Sequence, residues 1–146
     1  MNLPATILVA VSQPHMLLTL EHLLSKVPGT KVLTADQGVT AVHLALTEHP
    51  RLILMDVTMP DLDGYTACRM IREGWTRQCP SQPSTVQPPQ VWFIAPRSSY
   101  TERDQARSVG ADGWIVEPPD PDHILNLAHQ ATQPVWSVVD AARGRA

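Results

Sequence analysis

Cysteine is scarce: only two occur in 146 residues, Cys68 inside an amphipathic stretch and Cys79 inside a proline-rich one. Neither a disulfide framework nor a four-ligand zinc site can be argued from such a pair, and reduced thiols are expected. The six histidines are scattered, with no H-x-x-x-H or H-E-x-x-H spacing to suggest a zinc helix. No window approaches the ~18 apolar residues that a membrane span needs. The start, MNLPATILVAV, has an apolar run but no basic segment before it, so a secretory signal is not expected and a cytoplasmic protein is. A basic excess is also missing: 11 Lys and Arg stand against 14 Asp and Glu, a net charge of -3. Bulk charge therefore offers nothing to nucleic acid or to a membrane surface.

What is present is an ordinary apolar fraction, 43%, in a chain long enough for one domain with a sizeable core and too short for two. Thr6 to Val11 is a continuous apolar run, as expected for a strand covered on both faces. After Pro14, the residues Met16, Leu17, Leu20, Leu23, Leu24 and Val27 follow helical spacing until Pro28-Gly29. Lys31 to Ala35 reads as a second strand; Val39, Val42 and Leu46, with Ala41 and Ala45, mark a second helix that ends before Pro50. Arg51 to Met55 is a third strand, and Tyr65 to Arg72 a third helix that offers Tyr65, Cys68, Met70 and Ile71 to the core.

Val91 to Ala95 forms a fourth strand. Ser99-x-x-Glu102 has the form of a capping box opening a fourth helix, closed by Gly110. Gly113 to Val116 is a fifth strand, and Asp120 as N-cap with Pro121 after it opens a helix carrying Ile124, Leu125, Leu127 and Ala128. Strands alternating with helices predict an α/β fold: five parallel strands with helices on both faces. Ligands of such sheets sit beyond the carboxyl ends of the strands, which places Val11-Ser12, Asp56, Ala95-Pro96 and Glu117-Pro118 at one rim.

Two segments break the pattern. Residues 75–90, WTRQCPSQPSTVQPPQ, hold four prolines and no hydrophobic period, so a surface loop is expected, a tolerated insertion more than a partner site. The domain is expected over residues 1–131 and a tail or linker over 132–146. There Val135, Trp136, Val138 and Val139 are expected to pack on the domain, since an apolar patch would otherwise be exposed.

The third strand leads into LILMDVTMPDLDG, with three carboxylates. Asp61-x-Asp63-Gly64 resembles the nucleophile loop of haloacid-dehalogenase-type phosphatases, but Met59 and Pro60 separate it from the strand tip where that nucleophile stands. An EF-hand loop fails as well, because Met70 stands where its Glu is needed. Asp61 and Asp63 are read as turn residues whose side chains bond nearby backbone amides. Asp56, the first polar residue after the strand, lies at the rim.

Here the sequence resembles the receiver domain of bacterial response regulators, the CheY-like superfamily. The matching strings are ILVAVSQPHM, ADQGVTAVHLA, PRLILMDVTMPDLDGY, GADGWIVEPP and DPDHIL, over about residues 6 to 131. The resemblance implies a flavodoxin-like strand order 2-1-3-4-5 and makes Asp56 the phospho-acceptor position. It also implies a Mg²⁺ held by an acidic pair after the first strand, a hydroxyl after the fourth and a lysine after the fifth, cations and donors that phosphoryl transfer needs. This chain has Val11 and Ser12 at the acidic pair, Ala95 at the hydroxyl and Glu117 at the lysine, so its pocket is degenerate. Mg²⁺ is expected weak or absent, with Asp56, the Thr58 carbonyl and the Ser12 hydroxyl as its remaining ligands.

The resemblance further implies a cis Glu117-Pro118 peptide and makes Trp114 the switch aromatic, with bulk that opposes full burial. Arg97 is the cation that could assist Asp56 or pair with Glu117. The expectation is a pseudo-receiver: a regulatory protein-protein interaction module, not an enzyme, without ordinary Mg²⁺-dependent phosphorylation and without a cofactor. Its partners would be a histidine kinase or a downstream regulator, with a homodimer through the fourth helix, fifth strand and last helix as a possibility. A working phospho-switch on Asp56 is the alternative, and a phosphatase using Asp61 and Asp63 a remote one.

Overall fold

The structure is a computed structural model and describes residues 4–78 and 88–132. The tail with Val135 to Val139, Cys79 and most of the proline-rich loop lie outside the described residues. Strands β1 (Ala5–Ala10), β2 (Thr30–Ala35), β3 (Leu52–Asp56), β4 (Gln90–Ala95) and β5 (Gly113–Val116) alternate with α1 (Pro14–Ser25), α2 (Gly38–Glu48), α3 (Gly64–Gln78), α4 (Tyr100–Ser108) and α5 (Pro121–Ala131). All neighbours pair parallel in the order β2-β1-β3-β4-β5, the expected order.

The period of two along each strand divides the core between the faces. Leu8 and Ala10, Ile53 and Met55, and Val91 and Phe93 enter one cluster with Ala41, Ala45, Ala67 and Ile71 of α2 and α3. Ile7 and Val9, Leu52 and Leu54, and Ile94 enter the other with Leu20, Leu24, Ile124 and Leu127 of α1 and α5. Continuous apolar strands are the consequence of covering both faces.

Two expectations are corrected. Residues 75–78 are helix, not loop: α3 continues to Gln78, because buried Trp75 lies edge-on to the His49 ring, centroids 5.2 Å apart. The connection to β4 is therefore shorter than the prolines suggested. Met70 does not join the core and is 42% exposed; in the 3.6-residue period Ala67, Cys68, Ile71 and Trp75 share the inner stripe and leave it outside.

Helix starts follow their capping chemistry. The Ser99 hydroxyl accepts the Glu102 N–H at 3.1 Å, and Asp120 accepts the Asp122 N–H at 3.2 Å, as the sequence predicts.

Candidate functional site at the carboxyl rim

Because parallel strands end on the same side, the rim collects Val11 and Ser12 after β1, Asp56 and Ala95 as the last residues of β3 and β4, and Glu117 after β5. Asp56 is the one buried polar or charged side chain among the described residues, 7% exposed. The Ser12 hydroxyl donates to its Oδ2 at 3.3 Å. Burial pushes the Asp56 pKa above the ordinary value; N–H groups of Ser12, Thr58 and Val57 and the Ser12 hydroxyl oppose this without cancelling it.

Glu117 is half-buried, and its N–H donates to the Ala95 carbonyl at 2.8 Å. Its pKa is also raised, by burial first and then by the charge of Asp56. The Glu117-Pro118 peptide is cis. Val11 and Ala95 are buried among apolar neighbours, so neither presents a polar atom beyond its backbone. None of the three ion pairs among the described residues involves Asp56 or Glu117.

The expected Glu117–Arg97 pair is not formed. Arg97 Nε lies 3.8 Å from Glu102 Oε1, with its side chain 84% exposed. The Ser99 cap brings Glu102 into the first turn of α4, within reach of Arg97, while the Arg97 carbonyl accepts the Trp114 indole N–H at 3.2 Å. Trp114 itself is half-buried and edge-on to Phe93.

Asp61 and Asp63 stand apart from this rim chemistry. Asp63 accepts the Thr66 N–H and hydroxyl, each at 2.9 Å, a local cap for α3. Asp61 reaches instead to α2, where it accepts the Gly38 and Val39 N–H groups. Both carboxylates are engaged by these donors, and their pKa values are lowered by them.

A family model described as "Response regulator receiver domain" matches residues 7–129. The chain belongs to that family. Among similar receivers, Protein PilG of Pseudomonas aeruginosa is 31% identical over 123 residues, 84% of this chain and 83% of PilG. Protein PilH of the same organism is 31% identical over 121 residues, 83% of this chain and 92% of PilH. The Probable transcriptional regulator ycf27 of Galdieria sulphuraria is 32% identical, but the match spans only 41% of that protein. Among solved structures, the chemotaxis protein CheY4 of Vibrio cholerae superposes with a TM-score of 0.73 at 22% identity, covering 88% of this chain and 98% of CheY4. The receiver domain of sensor histidine kinase PA1611 of Pseudomonas aeruginosa, with magnesium coordinated in its cleft, superposes at 0.70 and 22% identity over 88% of this chain and 98% of that domain. These structural likenesses show the fold of the receiver.

One feature of the rim escapes the sequence pattern. Beside Glu117, α1 and the β5–α5 turn border an open cavity of about 470 Å³. Its signal in the sequence is the width of the α1 stripe: Met16 and Leu23 continue the apolar pattern yet stay only partly buried.

Proposed function

We propose that this receiver is a regulatory interaction module whose state is set by partner binding rather than by ordinary Mg²⁺-dependent phosphorylation of Asp56. The observation that carries the reading is the pairing of two acids, Asp56 and Glu117, at one rim, each with a raised pKa and no ion pair among the described residues. A phosphoryl group on Asp56 would add negative charge toward Glu117, where phosphoryl transfer relies on cations and donors. Magnesium does not fit this donor set. The Ser12 hydroxyl spends its proton on Asp56, Val11 is core, and one carboxylate with neutral oxygens falls short of what the ion prefers. Ala95 has no hydroxyl to orient a phosphoryl oxygen.

On this reading the receiver binds proteins and performs no catalysis; the cytoplasm is its compartment, and a histidine kinase or downstream regulator its partner. The test is incubation with acetyl phosphate and Mg²⁺ followed by intact-mass measurement. The mass is expected to stay unchanged; a prompt, stoichiometric phosphate adduct absent from Asp56→Ala overturns the reading.

A homodimer through α4, β5 and α5 is favoured by exposed apolar side chains on that face, Tyr100 at 81% and Val116 at 42% exposure, beside an edge strand. Sedimentation of the wild type against Tyr100→Glu tests it.

A further inference from the structure

The cavity beside Glu117 has the volume of a binding cleft, about 470 Å³. Met16, Leu20 and Leu23 of α1 form one wall at helical spacing, and Pro118 and Pro121 stand on the other. From Met16 to Leu23 the wall runs ~10 Å along the helix axis, two turns of a facing helix. Prolines present no backbone N–H, so that wall makes apolar contact. Glu117 is the single acid of the lining, which holds no lysine or arginine.

We infer that this groove docks a helical segment of a partner protein carrying two or three apolar side chains and one lysine or arginine, the cation pairing with Glu117. The inference rests on the interaction-module reading above and names the partner's chemistry. Charge complementarity selects the occupant. Glu117 is half-buried and its nearest charge is a second carboxylate, Asp56, so a cation entering there relieves like-charge repulsion as it docks. An apolar segment without the cation would desolvate Glu117 uncompensated. A symmetric contact through α1 of a second copy lacks the match, because Pro14–Ser25 contains an acid, Glu21, and no lysine or arginine. Apolar anchors at i, i+3 or i+4 and i+7 are the usual reading of a groove this long.

The probes are two synthetic amphipathic helical peptides, identical but for a central arginine or glutamate, titrated into the full chain while the Met16, Leu20 and Leu23 methyl resonances are followed by NMR. The arginine peptide is expected to shift those methyls and to bind about tenfold tighter than the glutamate peptide. Glu117→Lys should reverse that order, and Glu73→Lys on distant α3 should leave it unchanged. Equal binding, no binding, or shifts confined to Tyr100 and Trp114 overturn the inference. Self-association abolished by Thr19→Arg assigns the groove to a second copy and overturns it too. So does tighter peptide binding in Trp136→Ser, which assigns the groove to the chain's own C-terminal residues. A phosphate adduct on Asp56 sinks the underlying reading whatever the peptides do, whereas charge-blind peptides with an unchanged mass sink the docking inference alone.

Discussion

The Asp61 carboxylate accepts the Gly38 N–H at 2.7 Å across 23 residues of chain, and the Val39 N–H at 3.0 Å. Helix α2 thus takes its N-cap from the β3–α3 loop, since Gln37 at its own N-cap position makes no side-chain bond to it. Two free N–H groups and the positive helix end meet an anion, and the loop that carries Asp56 is tied to α2.

Asp61→Ala is expected to lower Tm by about 2–5 °C, and Asp61→Asn, which keeps an acceptor, by less. The Val39 and Gly38 N–H groups hold the Asp61 pKa below its ordinary value. Its contribution is therefore whole at neutral pH and fades as the pH falls through that lowered value. Thermal melts of wild type and Asp61→Ala across acid pH should converge.

Asp56 has the opposite sign. Burial raises its folded pKa, so the folded state retains a proton that the unfolded chain has released. The stability this confers is full below the ordinary carboxylate pKa and is lost as the pH rises through the raised one. Asp56→Asn should consequently raise Tm by a few degrees at pH 7 and by nothing near pH 3. Because the charge of Asp56 also raises the Glu117 pKa, combining it with Glu117→Gln should gain less than the sum of the two, a coupling that a double-mutant cycle in thermal melts would read.

Gly64 is where α3 begins, beneath the Asp56 loop, and its N–H donates to the Val57 carbonyl at 2.7 Å. A Cβ there would meet the Asp56 backbone oxygen, and the Phe93 ring at 3.0 Å. Gly64→Ala is expected to cost on the order of 1–3 kcal/mol in urea unfolding, by overpacking against backbone that cannot move aside.

Arg72 ties three segments: Nη1 donates to the Pro89 carbonyl at 2.7 Å, Nη2 to the Gly110 carbonyl at 2.7 Å and to Asp112 at 3.0 Å. Asp112 in turn accepts the Val91 N–H at 2.9 Å. Arg72→Ala should cost roughly 1–3 kcal/mol, and Arg72→Lys should recover only part, since a lysine cannot reproduce the fork. Hydrogen exchange at Val91 and Asp112 should speed up in both.

Legibility followed the range of the interactions. The alternation of apolar runs with helical stripes identified all five strands and five helices, because periodicity is a local record of burial. Asp120 and Ser99 were legible as caps because their partners lie within three residues. Trp75 was misread as loop since its support is His49, on another helix. Asp61 read as a turn residue for the same reason: its donors belong to α2. Arg97 was offered to Glu117 on rim position alone, whereas the α4 turn delivered Glu102.

By itself the sequence determined that this is a parallel α/β receiver and that Asp56 ends the third strand among residues unlike the usual acids, hydroxyl and lysine. Strand periods and the residue types at strand ends suffice for that, because parallel strands must finish at a common rim. Only the tertiary structure decided which groups at the rim feel one another: that Ser12 donates to Asp56, that Glu117 lies within its electrostatic reach, and that α1 leaves an apolar cleft beside them. Those relations depend on how helices from distant parts of the chain are packed, and hydrogen bonds and charge effects fall off over a few ångströms that no spacing in the sequence encodes.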